Sequence, residues 1–99
     1  MARMDPHPDR RADRIHALLA EAFAPARVVV DDQSALHAGH AGARPGGETH
    51  YAVTVVTPRF AGMNRVTRHR AVTEQLAGEF DSGLHALSLT LRTPDEERG

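Results

Sequence analysis

Between residues 48 and 92 the apolar pattern changes from a period of two to a helical period and back to two, and this sequence of periods limits the possible folds most tightly. The first alternating run, ETHYAVTVVT at 48–57, puts Tyr51, Val53 and Val55 on one face and His50, Ala52, Thr54 and Val56 on the other, as a β-strand does. The second, LHALSLTLR at 84–92, sets His85, Leu87, Leu89 and Leu91 against Ala86, Ser88 and Thr90. Between them Asn64 is placed to cap a helix reaching about Phe80. Its Val66, His69, Val72, Thr73, Leu76, Ala77 and Phe80 are expected on one side, with Arg65, Arg68 and Glu79 elsewhere. Pro58 closes the first strand, Phe60 is expected to plug the core, and Gly83 suits the turn after the helix. If the two strands are neighbours they are parallel, because the crossover helix returns the chain to the end of the sheet where it began.

Upstream, residues 9–23 carry Ala12, Ile15, Leu18, Leu19, Ala22 and Phe23 at helical spacing, opposite Arg10, Arg11, Arg14 and Glu21. Asp9 is placed to cap this helix and Pro25 to end it. The valine-rich ARVVVDD at 26–32 is expected to be a strand, pairing with 48–57 in a long-looped hairpin. Its loop, residues 33–47, holds four of the eight glycines and Pro45, and is expected to be exposed and mobile. At the other end Thr93, Pro94, Asp95 and Glu96 form a capping box for a short helix that is expected to fray. One α+β domain accounts for this α-β-β-α-β(-α) order, with a three-stranded mixed sheet and the helices packed on one face. It is expected to span residues 8–97, with 1–7 as a flexible N-terminus.

A chain of 99 residues accommodates one such core. No stretch approaches the roughly 20 apolar residues of a membrane-spanning helix, and no apolar segment follows the charged N-terminus as in a secretory signal, so a cytoplasmic location is expected. The formal net charge is −1, so no global field draws the chain to a nucleic-acid backbone, although all 12 basic residues are Arg. There is no cysteine, which removes disulfides, a thiolate nucleophile and every cysteine-based metal site. Seven dispersed histidines remain as the most informative side chains. A Gly-rich phosphate loop with its Lys, H-E-x-x-H and G-x-S-x-G are all missing, and Ser34, Ser82 and Ser88 lack an evident oxyanion arrangement. The expectation is a binding protein and not an enzyme.

Two local patterns bear on binding. Gly39–Gly42, GHAG, has the G-x-x-G form with which KH domains clamp nucleic acid, but here it joins two strands where the KH loop joins two helices, which favours coincidence. Arg65–Arg70, RVTRHR, gathers three arginines and a histidine at a helix N-terminus, where the helix dipole disfavours cations. It is either a contact surface for phosphate, glutathione or an acidic partner, or a solvated face with His69 turned inward to bond buried backbone.

Taken in order, VVVDDQSALHAGHAG, GGETHYAVTVV, RFAGMNRVTRHRAV and GLHALSLTLRTPDE resemble the BolA family over roughly residues 10–96. Asp32 and Thr49 stand where the family often has Glu and Ser, and the terminal helix is short. The resemblance implies a class II KH-like fold and a monothiol glutaredoxin partner with a CGFS active site, the protein being a monomer alone and a heterodimer with that partner. It further implies a 2Fe-2S cluster shared with the glutaredoxin and glutathione. The histidine of the H-A-L strand is a cluster ligand by that resemblance, which points to His85, and a loop ligand falls on His40, with His37 as its rival. Arg65, Arg68, His69 and Arg70 would contact the partner, glutathione or nucleic acid. DNA is the second candidate partner, since family members have been linked to transcription regulation. Outside these motifs His50 is expected to be structural, and His7 and His16 to face solvent.

Overall fold

A computed structural model describes residues 10–33 and 50–98 of the chain. The elements are α1 (Arg11–Ala22), β1 (Arg27–Asp32), β2 (His50–Val56), α2 (Arg65–Gln75), α3 (Ala77–Asp81), β3 (Ala86–Arg92) and α4 (Pro94–Arg98), with a 3-10 turn at Pro58–Phe60. The sheet order is β1-β2-β3, with β1 and β2 antiparallel and β2 and β3 parallel, as the crossover requires. The register aligns Val28 with Val55, Val30 with Val53, Val53 with Leu89 and Val55 with Leu91, so the apolar faces of the three strands merge into one surface. α1 packs on β1, α2 on β3, and the two helices on each other.

Ile15, Leu19, Phe23, Val28, Tyr51, Val53, Val55, Phe60, Val72, Leu76 and Leu84 form the core. Phe60 is fully buried, with its ring centre 5.3 Å from that of Phe23. The buried Thr57 hydroxyl donates to the Phe23 carbonyl oxygen at 2.8 Å and accepts from the Arg59 amide, tying the end of α1 to the exit from β2. That pairing satisfies polar groups that burial would otherwise strand.

Asn64 caps α2 through its side chain, which accepts from the Thr67 amide at 2.8 Å. The single helix expected to Phe80 is broken at Leu76, where φ −103° and ψ 12° leave the helical region and start α3. Only Val72 and Leu76 of the expected apolar side are buried, whereas Val66, His69, Ala77 and Phe80 are exposed. Glu79 is the opposite correction: it was expected away from the apolar side and retains only 7% exposure. Arginine partners from α1 explain this, since a carboxylate enters a protein interior only when paired.

Asp9 and the segment 34–49 lie outside the described residues, and so do the expectations for that cap and that loop; Arg10 holds the N-cap position of α1 with no side-chain bond. The capping box at α4 forms in both directions: the Thr93 amide donates to Glu96 at 2.8 Å and the Glu96 amide donates to the Thr93 hydroxyl at 3.2 Å. Among the described residues no helix is long and apolar enough to cross a membrane.

Candidate functional site

His85 lies one residue before β3, and its side chain is exposed. Its position is fixed from behind by a polar knot. Glu79 accepts from Arg14 Nε at 2.8 Å, Arg14 Nη2 at 2.9 Å and Arg11 Nη1 at 2.8 Å. Arg11 also donates to the Glu79 carbonyl, the Ser82 hydroxyl and the Ser82 carbonyl. The hydrogen bonds from Arg14, with help from the charge of Arg11, hold the Glu79 carboxyl below its ordinary value. The Leu84 amide donates to the Glu79 carbonyl oxygen at 2.9 Å, and Leu84 is buried, so the residue before His85 is tied to the knot. Gly83, at φ 125°, makes the turn in a region that L side chains rarely adopt, and a Cβ there would meet Arg11 Nη2 at 3.3 Å.

The ring centre of His50 lies 5.3 Å from that of His85, with the ring planes at 59°. Sequence reasoning treated His50 as structural and did not bring these residues together. The signal was present in the topology: both histidines stand at the N-terminal end of their strands, and parallel strands place those ends on the same edge of the sheet. His50 is directly opposite Ala86 in the register. His37 and His40 lie outside the described residues.

The RVTRHR segment divides by function. Arg65, His69 and Arg70 are exposed, so the alternative of an inward-turned His69 does not hold. Arg68 is taken up by the fold. Its side chain keeps 12% exposure, lies over the Phe60 ring with 5.6 Å to the centroid, and donates to the Met63 and Leu91 carbonyls at 2.9 and 3.1 Å. It also grips both oxygens of Glu96 at 2.7 and 3.1 Å, and chiefly through this hydrogen bond the Glu96 carboxyl falls to about 2. Arg68 thereby fastens α4 to β3 and positions its neighbours without offering a free guanidinium of its own.

Those neighbours border a groove of about 890 Å³. Arg65, His69, Arg70 and Thr73 line one side, Leu89, Leu91 and Arg92 the other. His85 is not part of this lining, but it lies on the run into the same strand, four residues from Leu89, or about 13 Å along an extended chain. One partner covering both would need an interface of only ordinary size, about 800 Å² on each side. The arrangement combines an imidazole at a sheet end with a cation-lined groove along the edge strand.

The BolA-like protein family model matches residues 19–96. The chloroplastic BOLA1 protein of Arabidopsis thaliana is 46% identical over 90 residues, which cover 89% of this chain and 56% of that protein. A solved structure of BolA1 from Arabidopsis thaliana superposes with a TM-score of 0.79 at 43% identity, covering 91% of this chain and 98% of that one. The DNA-binding transcriptional regulator BolA of Vibrio cholerae is 38% identical over 84 residues, 85% of this chain and 76% of that protein. Sequence motifs, strand order and these matches agree, and the chain belongs to the BolA family.

Proposed function

We propose that this protein is an adaptor that binds a monothiol CGFS glutaredoxin and lends histidine to a 2Fe-2S cluster, in cluster assembly, cluster transfer or iron regulation. The observation that carries this is the exposed His85, held at the start of β3 by a buried ionic knot in a chain without cysteine. Such a chain offers a cluster no thiolate, and imidazole replaces thiolate on one iron of Rieske-type centres, raising their potential. Sulfur then comes from the glutaredoxin cysteine and glutathione. His85 is the required ligand in this reading. His40, with His37 as rival, is the loop ligand. Arg65, His69 and Arg70 supply the partner and glutathione contacts, with Arg68 holding that surface in place. The cluster, when bound, supplies a redox-active, transferable iron unit; this chain presents nitrogen and docks the partner.

Co-expression with a CGFS glutaredoxin in the presence of glutathione should give a coloured heterodimer whose visible absorption and circular dichroism change in His85→Ala. A spectrum unchanged by that substitution removes His85 from the ligand set. A colourless mixture with no complex on gel filtration ends the reading altogether.

A second reading, a DNA-binding regulator, is favoured by the exposed Arg65 and Arg70 beside Arg92 along the groove and by the name of the Vibrio cholerae relative. Binding through phosphates weakens steeply with salt. A gel-shift series across ionic strength, with Arg65 and Arg70 replaced by Ala, tests it: the reading fails if there is no salt-sensitive shift or if the variants bind equally well.

A further inference from the structure

We propose that His50 and His85 together form a site for a single divalent transition cation of the zinc, copper and nickel class, at the end of the sheet where β2 and β3 begin. The inference needs no glutaredoxin and no cluster, and so stands apart from the adaptor reading, although His85 serves in both.

The spacing of the two rings carries it. A metal–imidazole bond is about 2.0–2.1 Å and a ring nitrogen lies about 1.1 Å from its ring centre, so a bound metal sits about 3.2 Å from each centre. Two imidazoles at the tetrahedral angle around one metal then have centres about 5.2 Å apart. The observed separation is 5.3 Å, with the planes inclined at 59° and not stacked flat.

The backbone that carries the two donors is also held in place before any cation arrives. Residue 50 is paired across the parallel ladder with Ala86, and the Gln33 amide donates to the His50 carbonyl at 2.9 Å. On the other side the Leu84 amide is bonded to Glu79. Little backbone ordering remains to be done on binding, which favours affinity. His85 is exposed and His50 half-buried, so solvent reaches the pair from one side and a cation has a path in.

The donor chemistry selects the class of ion. Neutral imidazole suits zinc, copper and nickel and discriminates against calcium and magnesium, which prefer oxygen. Among the described residues no group of three or more His, Cys, Asp or Glu side chains converges. The site therefore offers two protein ligands, leaving the other positions to water or to a donor from another molecule, and copper(II) should bind most tightly by the general order of divalent affinities. Because His85 is shared, a bound cation would compete with cluster formation.

The test is calorimetric titration of the full chain, without glutaredoxin, with zinc and copper(II) salts in a non-coordinating buffer near neutral pH. One principal site is expected, weakened about tenfold or more by His50→Ala and by His85→Ala, because loss of either donor abolishes chelation. Replacing the exposed His16 should leave it unchanged. Copper(II) should broaden the amide resonances of the unsubstituted chain first around residues 50–52 and 84–87, a readout that does not depend on either variant folding. Full affinity in His50→Ala, or broadening centred on the 37–40 segment or elsewhere, overturns the proposal. A failed glutaredoxin complex would not touch these results, and a failed titration would leave the cluster assay standing.

Discussion

Replacing Glu79 with Ala removes a carboxylate that two α1 arginines share, and the consequence can be worked from the contacts. Three charge-assisted hydrogen bonds to the carboxylate are lost, at distances of 2.8, 2.8 and 2.9 Å. Each such bond is worth about 1.5–3 kcal/mol taken alone. They do not add, because the Arg14 side chain, 32% exposed, can be rehydrated, while Arg11, 11% exposed, keeps its bonds to Ser82 and to the main chain. Breaking a buried pair from one side costs about 3–5 kcal/mol, and the partial exposure of Arg14 puts this case near the lower end, about 3 kcal/mol. For a domain of this size, a loss of about 1 kcal/mol lowers the melting temperature by about 4–8 °C, so Glu79→Ala should melt about 12–24 °C below the parent. Glu79→Gln, which keeps one acceptor oxygen, should fall between the two.

The pH dependence has a definite sign. Glu79 is lowered from its ordinary value of 4.5, so its contribution is fully present above about pH 4.5 and is lost as the pH falls through the lower folded-state value. Urea unfolding of the parent and Glu79→Gln, followed by far-ultraviolet circular dichroism, should therefore give a stability gap that is constant near neutral pH and narrows below pH 4.5. The same knot anchors Leu84 and so presents His85, and hydrogen exchange of the amides at 83–85 should accelerate in both variants. A loss under about 1 kcal/mol for Glu79→Ala, or a gap indifferent to acid, would refute the assignment of Glu79 as a buried, ionised tie.

Other substitutions separate structural from exposed groups. Arg68→Ala should cost about 1.5–3 kcal/mol in thermal or urea unfolding, because it removes donors from the Met63 and Leu91 carbonyls and uncovers Phe60. Arg65→Ala and Arg70→Ala should stay within about 0.5 kcal/mol of the parent; equal losses at all three positions would contradict the division of the segment. Thr57→Val preserves shape but takes the buried donor from the Phe23 carbonyl, and a loss of about 1–2 kcal/mol is expected in the same assay. A neutral result there would mean that the carbonyl is satisfied in another way.

The sequence determined the strands, their faces and the order of the elements, but not the break at Leu76 or the face that the second helical region buries. Alternation in ETHYAVTVVT and LHALSLTLR, the cap at Asn64, the reciprocal box at Thr93 and Glu96, and the parallel relation of the last two strands all follow from local periodicity, short-range hydrogen bonding and the geometry of a crossover. The family was legible from motifs. Tertiary structure alone decided where charge could be buried and which distant side chains meet. Glu79 reads as a surface residue because its arginine partners lie 65 and 68 positions away, and no local pattern records a salt bridge across that separation. Arg68 reads as one of three equivalent arginines until the Leu91 carbonyl and Glu96 take it up. His50 and His85 come together only because parallel pairing fixes a register between strands, and register is set by how two apolar faces merge over a shared core.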